Sequence, residues 1–203
     1  MSATNSSYIR ARYGRRPKQD GVVAVEFAIV AFLFFLLVFW IIEIARLMYM
    51  YNTLPEISRR VADAAVNIAF NDGDALNQAR KRALFNETGG TMPFGSPVTY
   101  ENIRIDYLYL PVTVSELTPI PKGSMPSCPA KNKLNCINNP NGANCIRALQ
   151  VSICAEGMTG SNCTPVTYQA VLPFIYLPVP LPKALTIVNA ETLGYKTGDI
   201  PCP

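Results

Sequence analysis

The chain has 203 residues, room for one modest domain besides a membrane segment. It contains no histidine, which removes the commonest general base and metal ligand and makes a Ser-His-Asp arrangement impossible. The net charge of +4 sits in residues 1–21, where Arg10, Arg12, Arg15, Arg16 and Lys18 face Asp20 alone, so the balanced remainder leaves no basic patch to argue for nucleic acid.

After this basic leader, every residue from Phe27 to Ile42 is apolar, and extending back through the VVAVE segment to Val22 gives 21 residues. A helix of that length spans about 31 Å, the thickness of a bilayer's hydrocarbon core. A buried core helix is seldom apolar on every face. Trp40 suits an interfacial position, with Tyr49 and Tyr51 just beyond it. The positive leader is expected to stay in the cytoplasm, which places residues after about 45 on the far side of the membrane. The run is too long for an ordinary cleaved signal peptide, and it ends in charged Glu43 and Arg46, not in an A-x-A-like site.

The junction RRPKQDGVVAVEFAIV carries the most specific signal. It has a Gly, then a Glu-Phe pair five and six residues later, a long apolar run, and a Glu with an Arg three residues on. An Ala/Arg-rich segment, RRVADAA, follows. From Gly21 to about Ala69 the chain resembles type IVb prepilins, and more closely the TadE/TadF-like minor pilins, or pseudopilins, of tight-adherence (Tad/Flp) pili. The resemblance covers about a quarter of the chain. It implies cleavage by a prepilin peptidase between Gly21 and Val22 on the cytoplasmic face. Gly21 allows close approach to the backbone, and Pro17 disfavours helix before the cut. The resemblance also implies an assembly role for Glu26, beside Phe27, toward the amine that cleavage creates on Val22. Val22 and Glu26 stand at i and i+4 on one helix face. The plainer alternative is that Glu26 reaches into the headgroups, since a carboxylate among apolar neighbours at a membrane rim is costly unless paired or hydrated. Glu43 and Arg46, at i and i+3, are expected to form a membrane-edge pair worth a few tenths of a kcal/mol.

The helix is expected to continue past Tyr51, with Pro55 kinking or restarting it. Ile57, Val61, Ala65 and Ile68 then recur at helical spacing as one apolar stripe, expected to pack on the outer domain. Asp72 or Asp74 can N-cap a short helix, DALNQARKRALF, whose basic run is a solvated face, and Gly89-Gly90 ends it.

The remainder reads as β-structure with long loops. Alternation puts Ile103, Ile105, Tyr107 and Tyr109 on one side of a strand, and Leu149, Val151 and Ile153 on one side of another. TYQAVL and LTIVNAETLGY are weaker strand candidates. The stretch FIYLPVPLP, with Pro173 just before it and prolines at 178, 180 and 182, suits an edge or extended connection. Residues 115–146 form a loop rich in Pro, Asn and Cys that buries little, so disulfides are its expected organisers. Cys128, Cys136, Cys145, Cys154, Cys163 and Cys202 are even in number and confined to one segment, which suggests an oxidising compartment; the spacing does not choose a pairing. With no CxxC and no His, no metal is expected, and no cofactor either. No phosphate-cradling loop, GxSxG or HExxH is present.

The expected fold class is α+β: a long N-terminal transmembrane helix followed by a small antiparallel β-sheet domain with disulfides, as in pilins. The segments are a leader over 1–21, a transmembrane helix over 22–45, a periplasmic helical extension over 46–86 and a cysteine-containing β-rich domain over 87–203. The resemblance implies a non-enzymatic assembly protein of the inner membrane that is retained there or enters the fibre. Its partners would be the prepilin peptidase, other pilins or pseudopilins, the Tad secretion machinery and membrane lipid, with adhesion and biofilm formation following indirectly. The rivals are a bitopic anchored protein that only displays its outer domain for binding, and an enzyme, redox-active through its cysteines.

Overall fold

The computed structural model describes residues 20–156, 162–172, 178–197 and 202. The basic leader lies outside these residues, apart from the Asp20 backbone and Gly21, as do the first four residues of the FIYLPVPLP stretch. The chain divides into two units, Met1–Ile42 and Glu43–Pro203.

In the first unit the apolar run is helical throughout, as the opening part of α1 (Asp20–Ala65). Among the described residues this is one helix long and apolar enough to cross a membrane. None of its most apolar window is buried within the protein, so a soluble-core role does not account for its composition.

The second unit is built around the rest of α1. Met50, Leu54, Ile57, Val61 and Ala65 are fully buried there, so the stripe read from the sequence packs within this unit. Ile68 lies beyond the helix end and is partly buried. Pro55 sits inside α1 and does not restart it. A helix-interior proline costs about 3 kcal/mol. Burying Leu54 and Ile57 on either side contributes about 1.5–3 kcal/mol each and offsets that cost. After α1 the chain turns. Asp72 then caps α2 (Gly73–Ala83), its carboxylate accepting from Ala75 N at 3.0 Å. Asp72→Ala is expected to lower stability by about 1 kcal/mol, measured by thermal unfolding of the full chain.

Four strands form one antiparallel sheet in the order β2-β1-β3-β4: β1 Ile103–Tyr109, β2 Thr118–Pro119, β3 Ala148–Ile153 and β4 Leu185–Asn189. The fold class is therefore α+β, with three disulfides. The β1/β3 register pairs Ile103 with Ile153, Ile105 with Val151 and Tyr107 with Leu149. That face supplies both core clusters. Ile103, Val151 and Ile153 pack with Met50, Leu54, Ile57 and Val61; Leu149 and Tyr107 pack with Ala65 and Val66. The sheet thus runs alongside α1, with the start of β1 near residue 54 and its end near residue 65. The weak candidate LTIVNAETLGY contains β4, whereas TYQAVL forms no strand and makes a single bridge, Thr167 to Pro180. The Leu193–Gly194 turn holds the end of α1, Leu193 N donating to Val66 O at 2.8 Å. Gly194 has φ +76, and a Cβ there would meet the Ala69 backbone, so a side chain is excluded twice.

The segment 115–146 is not the open loop its composition suggests. It contains β2 and a helix, α3 (Pro129–Asn138), with proline at its start where no N–H is missed. Asn132 on α3 is buried and accepts from Ile146 N at 2.8 Å. The cysteines pair as Cys128–Cys202, Cys136–Cys145 and Cys154–Cys163, and none among those described is free. The middle pair joins α3 to the segment entering β3.

Candidate functional site: an exposed helix start and a buried clamp

Two places hold the residues singled out by the sequence. In the first unit, Gly21, Val22, Glu26 and Phe27 all lie in the first turns of α1 and are exposed. A Cβ on Gly21 would meet nothing within 4 Å. Glu26 has no hydrogen-bond or ion-pair partner among the described residues. The segment therefore presents a small residue, an aromatic ring and an uncompensated carboxylate on an otherwise apolar surface. A carboxylate so placed favours any cation that comes within reach.

The second place lies in the second unit, immediately after the apolar run. The Glu43–Arg46 pair is present at 3.2 Å, but it is not a solvated helix-face pair. Glu43 is 2 % exposed, and the Arg46 side chain is 10 % exposed. Arg46 Nε donates to Phe94 O at 2.6 Å and Nη2 to Ser96 O at 2.7 Å. Nη1 faces Glu43 Oε1, Tyr168 OH at 3.1 Å and Gln169 O at 2.8 Å. The guanidinium carbon also lies 5.1 Å from the centre of the Tyr168 ring. Glu43 Oε1 accepts in turn from the Tyr168 hydroxyl and from Val171 N at 3.2 Å. The fixed fork of the guanidinium suits this task, since its N–H groups reach several acceptors at once.

Two loops are held by this clamp. The first, residues 91–99, is rooted by buried Met92 and Val98, whose backbones bond at 3.0 Å. At its tip Phe94 has φ +55, and Gly95 leaves room for the Met92 side chain folded beneath it. The second carries Tyr168 to Val171 and is rooted by Tyr168 N donating to Val179 O at 2.9 Å. The sequence named Glu43 and Arg46. It offered no signal for Phe94, Ser96 and Gln169, which take part through backbone carbonyls, and only a weak strand signal around Tyr168.

The clamp holds Tyr168 neutral. Burial, reinforced by the hydrogen bond to Glu43, pushes its phenol up to about 12, with Arg46 opposing. Burial likewise pushes Tyr107 up to about 12, against the pull of Arg80. For both, the unfolded phenol loses its proton first, near pH 10. The folded state then holds more protons than the unfolded state between about pH 10 and 12, so the contribution to stability is complete below about 10 and disappears as pH rises through that window. Tyrosinate absorbance is expected to show Tyr107 and Tyr168 among the late-ionising phenols, and Tyr168→Phe removes one of them.

One exposed, membrane-length apolar helix among the described residues, with a disulfide-closed α+β unit, is compatible with a single-pass membrane protein. Comparison with known families gives this class a more particular content: residues 21–63 match the family model described as TadE-like protein. The match is consistent with a TadE-like protein of Tad pili, and that family suggests a pilus-associated protein of structural type. It covers Gly21, Val22, Glu26 and Phe27, together with Glu43 and Arg46. No curated protein and no solved structure matches the chain.

Proposed function

We propose that this chain is a minor pilin or pseudopilin that supports assembly of a Tad/Flp, type IVb, adhesive pilus. The observation that carries this reading is Glu26, without a partner among the described residues and one helical turn from Val22, on a helix that matches the TadE-like model. A prepilin peptidase cuts between Gly21 and Val22 on the cytoplasmic face of the inner membrane. The new Val22 amine then lies within reach of Glu26, in the same chain or a neighbour's. In a low-dielectric surrounding such a pair is favourable where the lone carboxylate is not. Residues 22–45 cross the bilayer and associate laterally with other pilin helices. The outer unit lies in the periplasm, where its cysteines oxidise, and contacts the Tad secretion machinery.

Mass spectrometry of the purified protein tests the cleavage: the expected N-terminus is Val22. Glu26→Ala is expected to abolish recruitment into the pilus machinery while leaving cleavage and membrane insertion intact. A mature chain that retains residues 1–21 in a host with an active peptidase would leave only the anchored display protein.

A further inference from the structure

Strand β4 is an edge of the sheet. Ile153 N donates to Ala184 O at 3.1 Å, and Ala190 N donates to Arg147 O at 2.9 Å, so the even-numbered residues of β4 face β3. Alternation turns the N–H and C=O groups of Leu185, Ile187 and Asn189 toward the open side. None of these groups has a hydrogen-bond partner among the described residues. Thr186 bonds to Ser58 of α1 and Val188 packs on the core, so the side chains of Leu185, Ile187 and Asn189 lie on the opposite face. There Leu185 is 55 % exposed and Ile187 is 47 % exposed. Edge strands are commonly blunted by proline, charge or a bulge, and the strand LTIVN has none of these.

The charges beside the strand indicate what fits this edge. Lys183 precedes β4 and Glu191 follows it, each four residues from Ile187. Both are exposed, and neither has an ion-pair partner among the described residues. The row KALTIVNAE thus has a base at one end, an acid at the other and apolar side chains at alternate positions between them. An extended chain laid along it continues the ladder, and an acid opposite Lys183 with a base opposite Glu191 fixes its register. A second copy offers that pattern in antiparallel register, but its direction is wrong. Thr186 Oγ1 lies 2.7 Å from Ser58 Oγ, and Leu193 N bonds to Val66 O, so β4 runs in the same direction as α1. An antiparallel pair of copies would set their Glu43 ends, from which the apolar helices continue, at opposite ends of the pair.

We propose that the outer edge of β4 is a docking site for an extended segment of another protein, which adds a strand antiparallel to β4. The segment carries apolar residues at alternate positions beside Leu185 and Ile187, an acid opposite Lys183 and a base opposite Glu191. Its main chain supplies the hydrogen bonds, and its two charges supply the register. The inference stands on the second unit alone and is independent of the pilus role.

A synthetic peptide with the sequence of residues 183–191, blocked at both ends, carries this chemistry without an anchor. In antiparallel register its Glu meets Lys183 and its Lys meets Glu191. Fluorescence anisotropy of the labelled peptide against the full chain in detergent measures binding, and residue-resolved amide exchange locates it. The expected result is saturable binding with slowed exchange at Leu185, Ile187 and Asn189. N-methylation at the peptide positions equivalent to 185, 187 and 189 removes the donors that face β4 and is expected to weaken binding by about tenfold or more. N-methylation at the positions equivalent to 186 and 188 is expected to have little effect. Exchanging the two peptide charges weakens binding, and Lys183→Glu together with Glu191→Lys in the protein restores it. No binding, or equal loss on methylating either edge of the peptide, overturns the docking site. Binding indifferent to the charge exchanges removes the stated partner chemistry and overturns it as well. Protection of the same three amides that grows with protein concentration in the absence of peptide shows a second copy on this edge and also overturns it.

Discussion

Arg46→Ala is expected to lower the stability of the second unit by about 3–5 kcal/mol, because it leaves Glu43 buried without its cation. The loss exceeds that of a surface pair, about 0–1 kcal/mol, because both partners are withdrawn from water. It also frees the carbonyls of Phe94, Ser96 and Gln169. At roughly 2–4 °C per kcal/mol for a unit of this size, the midpoint falls by about 10 °C. Glu43→Ala is expected to cost less than Arg46→Ala, since the guanidinium keeps three backbone acceptors. The double variant should fall short of the sum of the two single losses, as residues sharing one network do. Thermal unfolding of the full chain in detergent, followed by near-ultraviolet circular dichroism, measures all three. A loss under about 1 kcal/mol for Arg46→Ala would return the pair to a solvated helix face.

The second large effect concerns the disulfides. In the chain-entropy account, the Cys128–Cys202 bond, separated by 74 residues, restricts the unfolded chain by about 4.5 kcal/mol. The two bonds with a separation of 9 contribute about 2.5–3 kcal/mol each. Paired Cys→Ala variants are expected to follow that order in thermal midpoint, with the Cys128/Cys202 variant lowest. An equal fall for all three pairs would mean that local packing, and not loop closure, sets their contribution. Alkylation of the untreated protein should find no reactive thiol, which leaves a redox enzyme without its nucleophile.

The parts of the fold that a sequence shows best are those governed by short-range periodicity. The apolar run over 22–42 is visible from composition, and the alternation in β1 and β3 identifies their inward faces because a strand's side chains repeat every two residues. The cap on α2 was narrowed to two residues, and Asp72 fills it. Pro55 reads locally as a break; what carries the helix through it is the burial of Leu54, Ile57 and Val61 against residues far along the chain. Helix α3 was hidden for the same reason. Its segment, PAKNKLNCIN, is polar and rich in asparagine, and its support comes from Asn132 reaching Ile146 and from Cys136 joined to Cys145.

The candidate site divides along the same line. Gly21, Val22, Glu26 and Phe27 form one compact motif and were named together. Glu43 and Arg46 were named too, but their partners begin 48 residues away at Phe94 and extend to Val171, 128 residues from Glu43. Most of those partners are main-chain atoms, which any residue type supplies, so no spacing or composition marks them.

The unequal separations of the three cysteine pairs also bear on how the unit matures. During N-to-C emergence, Cys136 can meet Cys145, and Cys154 can meet Cys163, as soon as each short stretch is exposed. Cys128 must wait until Cys202 has appeared, after β3 and β4 have both been delivered. Its oxidation is therefore a late, whole-unit event: a chain stalled or truncated before that point leaves Cys128 without its native partner, a chemical mark by which an incompletely delivered chain differs from a finished one.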